Sequence, residues 1–120
     1  MTLLDKTVVG LTEKVTIRGK NGRSRTLVAR IDTGATKSSI DESLAVELDL
    51  GPVIATKVIR QAQGKQRRPV IRAKLKIKNR TVEGEFTVAD RSHMRYPILV
   101  GQNMLCQNFL VDPSMKEPEK

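Results

Sequence analysis

The chain has 120 residues, enough for one domain with a core of its own, and its 22 Lys and Arg stand against 13 Asp and Glu, a net charge of +9. No run of about 18 apolar residues occurs, so no membrane-spanning helix is expected, and the single cysteine, Cys106, rules out an intramolecular disulfide. Phe86, Phe109 and Tyr96 are the only aromatic residues, so the core has to be built from Val, Ile, Leu and Met.

Glu13 to Ile17 alternates polar and apolar and predicts a strand. Lys20-Asn21-Gly22 is a turn signal, and Thr26 to Ile31 predicts the returning strand of a hairpin that ends at Asp32. Ser39 and Glu42 have capping-box spacing, Asp41 competes as N-cap, and a short helix is predicted from Asp41 to Leu48, stopped by Gly51-Pro52. Val53 to Ile59 resumes strand character, and Gln61 to Lys65 is a polar connection containing Gly64. From Arg67 to Lys78 the alternation is strict. Ile71, Ala73, Leu75 and Ile77 mark one face, Arg72, Lys74, Lys76 and Lys78 the other. Asn79-Arg80 turns into a strand from Thr81 to Ala89, Ile98 to Val100 is a short buried strand, Gln102 to Asn108 a helix of about two turns, and Phe109 to Val111 a last strand. The fold class is mostly β with one or two short helices.

The charge is unevenly placed. Between Lys57 and Arg80 lie ten Lys or Arg and no acid, while the rest of the chain holds 12 basic and 13 acidic residues. Such a segment describes a surface and its partner rather than a fold. The first six residues lack the apolar region of a signal peptide, and one unpaired thiol suits a reducing compartment, so a cytoplasmic protein is expected.

The motif that carries chemistry is Ala29-Arg30-Ile31-Asp32-Thr33-Gly34-Ala35, a strand that ends in one carboxylate, a hydroxyl and a glycine. Alone it has two readings. A strand-end Asp before Thr-Gly can be a turn residue whose side chain bonds nearby amides. It can also be catalytic, in which case one carboxylate cannot be acid and base together and the protein must act as a dimer.

Around the motif the order of features is informative. Apolar strand residues precede it, a Ser-rich turn follows, a hairpin comes about 30 residues later, and Ile98-Leu99-Val100-Gly101 leads into a short helix. This order resembles the retropepsin-like aspartic proteases, single-domain relatives of the pepsins. Arg60 to Pro69, Asp90-Arg91-Ser92, Tyr96-Pro97-Ile98-Leu99-Val100-Gly101 and Phe109-Leu110-Val111-Asp112-Pro113 narrow the resemblance. They are similar to a family long labelled ATP-dependent zinc proteases and later treated as retropepsin-like endopeptidases, some partnered with a ligase that adds glutamates to a ribosomal protein. The likeness runs from about Val8 to Pro113, so residues 1–113 are expected to form the protease domain and 114–120 a polar, flexible tail.

The resemblance implies a homodimeric aspartic endopeptidase fold with a flap hairpin. Asp32 would be catalytic, with Thr33, Gly34 and Ala35 supporting the dyad and the substrate backbone. Leu99, Val100 and Gly101 would pack beneath it, and Arg60, Gln63, Gly64, Lys65, Arg67 and Arg68 would meet substrate from the flap. Many retropepsins carry an acid after the Asp-Thr-Gly-Ala motif and an arginine after the late glycine; here Thr36 and Gln102 take these places, so dimer support must differ. No cofactor and no metal are implied, because His93 and Cys106 are the only His and Cys and zinc needs three or four ligands. His93 is read as a surface-loop residue and Cys106 as a small buried residue of the second helix.

The basic hairpin suggests an acidic peptide or protein tail as substrate, and the resemblance implies a ribosome-associated setting. For Lys74, Lys76 and Lys78 the simpler reading is a solvated strand face protected from edge pairing. The alternative for the whole chain is a non-catalytic module that binds an acidic protein or RNA. Nucleic acid as a specific ligand is disfavoured by the scarcity of stacking aromatics.

Overall fold

The computed structural model describes residues 5–118. The strands are β1 (Thr7–Val9), β2 (Thr12–Arg18), β3 (Ser24–Ile31), β4 (Ser38–Asp41), β5 (Val53–Gln61), β6 (Gly64–Ile77), β7 (Arg80–Ala89), β8 (Ile98–Val100) and β9 (Phe109–Val111), with helices α1 (Glu42–Glu47) and α2 (Gln102–Leu105). The expected mostly-β fold with two short helices is thereby found. No helix among the described residues is long and apolar enough to cross a membrane.

The strict alternation of β6 has the expected result: Ile71, Ala73, Leu75 and Ile77 are buried and the intervening basic residues are exposed. Together with Val15, Ile17, Ile40, Phe86, Ile98 and Met104 they form one continuous core, aliphatic as the composition requires. Strands β2, β3, β8, β4, β7, β6 and β5 follow one another in a single sheet, and β2 also pairs with β6, through Val15 opposite Ile77, which curls the sheet on itself. β1 and β9 form a separate parallel pair.

The order around β8 fixes the position of Asp32. β8 runs parallel to β3, with Ile31 beside Val100, and antiparallel to β4, with Ser39 beside Leu99. It thus lies between two strands that the Asp32–Lys37 loop connects, and that loop has to cross over the end of β8. β4 itself, Ser-Ser-Ile-Asp, is too polar and short to signal a strand; it forms because both neighbours supply hydrogen bonds.

Three local expectations are corrected. The capping box of Ser39 and Glu42 does not form, since Ser39 is within β4 and Asp41 caps α1 instead. α2 is a single turn that ends at Leu105 rather than about two turns reaching Asn108. Cys106, just past that end, is exposed and not a core residue. His93 is exposed in the loop before β8, as expected. Among the described residues no three His, Cys, Asp or Glu side chains stand close enough to hold a metal ion. Of the tail from Ser114, the last two residues lie outside the described ones.

Asp41 joins α1 to the loop before β8. Its carboxylate accepts the Ser43 hydroxyl and amide on one oxygen and the Arg91 amide, at 2.7 Å, on the other. Burial pushes its pKa up, but the hydrogen bonds from Ser43 and Arg91 outweigh burial and hold it below the ordinary carboxylate value. A depressed pKa gives stability that is full above the unfolded value and is lost as pH falls through the folded one. Asp41→Asn should therefore cost about 1–2 kcal/mol at neutral pH. Below about pH 4 the urea midpoints of parent and variant should converge; a constant gap across the acid range would contradict this role.

Candidate active site

Asp32 follows the last residue of β3 and is tied down from both sides. Its amide donates to the Val100 carbonyl at 2.9 Å, its Oδ1 accepts the Gly34 amide at 2.9 Å, and its carbonyl accepts the Ala35 amide at 3.2 Å. The second carboxylate oxygen, Oδ2, is 3.9 Å from Arg30 Nε, and the side chain stays about one-third exposed (31%). The carboxylate is thus oriented by a backbone amide and remains open to solvent. The turn in which Asp accepts an amide two residues on is the geometry that the plain turn reading also foresees. What sets this turn apart is the structure beneath it.

Beneath the loop, β8 ends at Gly101. A methyl group here would overlap the Lys37 carbonyl oxygen and stand 2.8 Å from that of Ala35. The Gly101 amide donates to Ser38 Oγ at 2.9 Å, and Ser38 Oγ donates to Asn103 Oδ1 at 2.8 Å. Asn103 Nδ2 in turn donates to the Glu85 carbonyl at 3.0 Å. The first turn of α2 holds the loop from its other side: the amides of Gln102 and Asn103 donate to the carbonyls of Ala35 and Thr36 at 2.8 and 3.2 Å. Gln102 Nε2 donates to the Thr33 carbonyl at 2.7 Å. Gln102, expected to be a departure that changes dimer support, thus uses its amide side chain to hold the Asp-Thr-Gly turn directly. Leu99 and Val100 pair beside Arg30 and Ile31, Val100 accepts the Asp32 amide, Gly101 lies against the carbonyls of Ala35 and Lys37, and Thr33 and Gly34 are exposed.

β5 and β6 form the hairpin predicted as a flap, with Gln61 opposite Gly64 and Ala62-Gln63 at the tip. Gly64 has φ +123°, a conformation that favours glycine. The register divides the basic residues. Lys57 and Arg68 are cross-strand partners on one face, and with Ile59 they line a groove of about 330 Å³ whose other wall is Ala35 to Ser39 and Leu99. Arg60, Lys65 and Arg67 belong to the alternate face and do not line this groove, and Gln63 and Gly64 are exposed at the tip. Of the predicted flap residues, Arg68 alone is brought against the Asp32 loop within one chain. Farther along β6, Arg72 and Lys74 face Glu85 and Glu83 of β7, and Lys78 reaches Glu13 at 3.5 Å. Much of the basic face is thus offset by acids that the linear charge count cannot see.

Arg30 and Arg91 did not stand out as site residues. The signal for Arg30 was its spacing, since two residues before Asp32 on a strand puts both side chains on one face. Arg91 had no such signal. Its Nε donates to the Tyr96 carbonyl at 3.0 Å, and its guanidinium lines the groove from the far side. Burial, and then the nearby positive charge of Arg30, push its pKa below the ordinary arginine value against the opposing pull of Asp41.

The sequence profile described as RimB-like, retropepsin-like aspartic endopeptidase RimB, matches residues 41–120. The matched stretch contains the late glycine segment and begins after the Asp32 turn. Among solved structures, a protein of unknown function from Legionella pneumophila is similar at a TM-score of 0.62 and 19% identity, over 92% of this chain and 96% of its own. The simian foamy virus protease, determined in solution, is similar at 0.60 and 23% identity, over 79% of this chain and 91% of its own. Likeness at these identities bears on the fold, which is that of the retropepsins. No curated protein shows significant similarity to the chain.

Proposed function

The chain belongs to the RimB-like family of retropepsin-like aspartic endopeptidases, and from that membership we propose that it is a homodimeric aspartic endopeptidase acting on acidic, glutamate-rich peptides or protein tails. The observation that supports this most is the Asp32 turn: a carboxylate fixed by the Gly34 amide above Val100 and Gly101, yet open to solvent. One such group per chain calls for a second from a twofold-related copy.

Two Asp32 carboxylates in contact across a twofold axis cannot both ionise easily, so the pair holds one proton. The ionised member takes a proton from a bound water, whose oxygen attacks the scissile carbonyl carbon. The protonated member gives its proton to the carbonyl oxygen. The tetrahedral intermediate then collapses: one of its hydroxyls returns a proton to the ionised aspartate, the C–N bond breaks, and the leaving nitrogen takes the proton that the other aspartate had drawn from water. Thr33 braces the dyad across the interface, Gly34 leaves room for the substrate backbone, and the Gln61 to Lys65 tip closes over the cleft and excludes water. The setting we propose is the cytoplasm.

The groove wall of Lys57, Arg68 and Arg91, which a second copy would double, favours an acidic substrate. The first test is incubation of the protein with a glutamate-rich peptide and a neutral one of equal length, read by mass spectrometry. Cleavage of the acidic peptide is expected, and intact peptides at every pH from acid to neutral would overturn the reading. Within it, Arg68→Glu should raise KM for the acidic peptide by about tenfold and soften its salt dependence. Arg67→Glu, on the alternate face, should change it less. Equal effects of the two would show only a diffuse field.

A further inference from the structure

A second basic pocket lies beside the end of β3, where Arg30 and Ile31 lead into Asp32. It has a volume of about 360 Å³, and Arg30, Arg91 and Arg95 converge on it together with Leu11 and Met94. Arg30 is the arginine whose Nε stands 3.9 Å from Asp32 Oδ2, and Arg91 also lines the flap-side groove, so the two cavities share a wall. Among the described residues, the Arg91 guanidinium has no carboxylate within ion-pair distance, although it is half-buried. Leu11 and Met94 are more than half exposed beside it (51% and 60%). Three guanidinium groups with an apolar rim suit an acid side chain carried on a methylene stem, as in glutamate.

The pocket already holds such a group. The chain turns after β9, where the Ser114 amide and hydroxyl donate to Asp112 Oδ1 at 2.9 and 2.6 Å, and Met115 packs against Gly10. That turn brings Glu117 back to the pocket, where its Oε1 accepts the Tyr96 hydroxyl at 3.2 Å and its Oε2 is 3.8 Å from Arg95 Nη2. We propose that this pocket is a subsite for a glutamate side chain of the bound peptide, and that Glu117 of the chain's own tail occupies it in the free protein. Both members of the Arg95–Glu117 pair are largely exposed (64% and 61%), so the contact is weak and readily exchanged for one from a ligand. A tethered competitor lowers apparent affinity by the fraction of time the site is closed. The inference deepens the acidic-substrate reading and rests on it.

The test is the binding of a fluorescein-labelled hexaglutamate peptide by fluorescence anisotropy, with Asp32→Asn as background so that nothing is cleaved. Glu117→Gln should tighten binding about fivefold, and Arg30→Gln and Arg95→Gln, both at exposed positions, should weaken it. A Glu117→Gln protein that binds as its background does would overturn the subsite while leaving an acidic ligand elsewhere in the cleft. Absence of binding by every protein would instead remove the acidic-substrate reading, and the subsite with it.

Discussion

Asp32→Asn is expected to fold as the parent does and to lose cleavage, with kcat lower by at least about 10³-fold. The fold survives because the polar contacts of this side chain are few. An amide oxygen can accept the Gly34 N–H as the carboxylate does, and the Arg30 contact at 3.9 Å is long and exposed. Loss of such a pair changes stability by about 0–1 kcal/mol. Chemistry does not survive, because a dyad of two neutral amides can neither take a proton from water nor give one to a carbonyl oxygen. Thermal unfolding and peptide turnover measured on the same preparation separate the two effects. A variant that turns over as the parent does would place the reaction elsewhere.

Gly101→Ala is expected to damage both fold and activity. Its φ of −100° is open to any residue, so the glycine is not there for conformational freedom. What it provides is space. The added methyl would strike the Lys37 carbonyl and crowd that of Ala35, and both atoms are backbone of the loop that carries Asp32. That loop cannot retreat cheaply, since the amides of Gln102 and Asn103 hold its carbonyls and Ser38 holds the Gly101 amide. Overpacking costs about 1–3 kcal/mol where neighbours can give, and more where they are fixed backbone. For a chain of this length that corresponds to a drop in melting temperature of about 10 °C or more. Cleavage should fall even well below the new melting temperature, because the Asp32 turn shifts with the loop. Melting within about 2 °C of the parent would show that the loop is not held from below as described.

The fold was legible wherever a strand had one wet face and one dry face. β6 alternates strictly from Ile71 to Ile77, where the core lies on one side, and β2 and the first part of β7 follow the same rule; Phe86 to Ala89 of β7 are buried on both faces. β1 and β4 were missed. Both are short, and both are strands because of partners distant in sequence: Thr7–Val9 beside Phe109–Val111, and Ser38–Asp41 between β7 and β8. Local propensity carries no trace of such pairings. The contest between Ser39 and Asp41 as cap was settled in favour of Asp41 because β4 takes Ser39 into the sheet.

At the site, the Asp32 turn and the glycine segment beneath it were readable, since each is a compact motif with its own chemistry. The division of the basic hairpin into two faces follows from register, which hairpin length alone does not set. The pocket of Arg30, Arg91, Arg95 and Glu117 draws on three stretches of chain that meet only after folding, and no spacing announces it. Gln102, read from the sequence as a departure, is a brace in its own right through its bond to Thr33.

In the proposed dimer, one active centre is made from two Asp32 carboxylates, one per copy. Mixing parent and Asp32→Asn protein in equal amounts, after full subunit exchange and at fixed total concentration, tests it directly by initial rate of peptide cleavage. Random pairing leaves about a quarter of dimers with two carboxylates, so a shared dyad predicts about a quarter of the unmixed activity. A rate of about one half, the value for copies that each work alone, would contradict it.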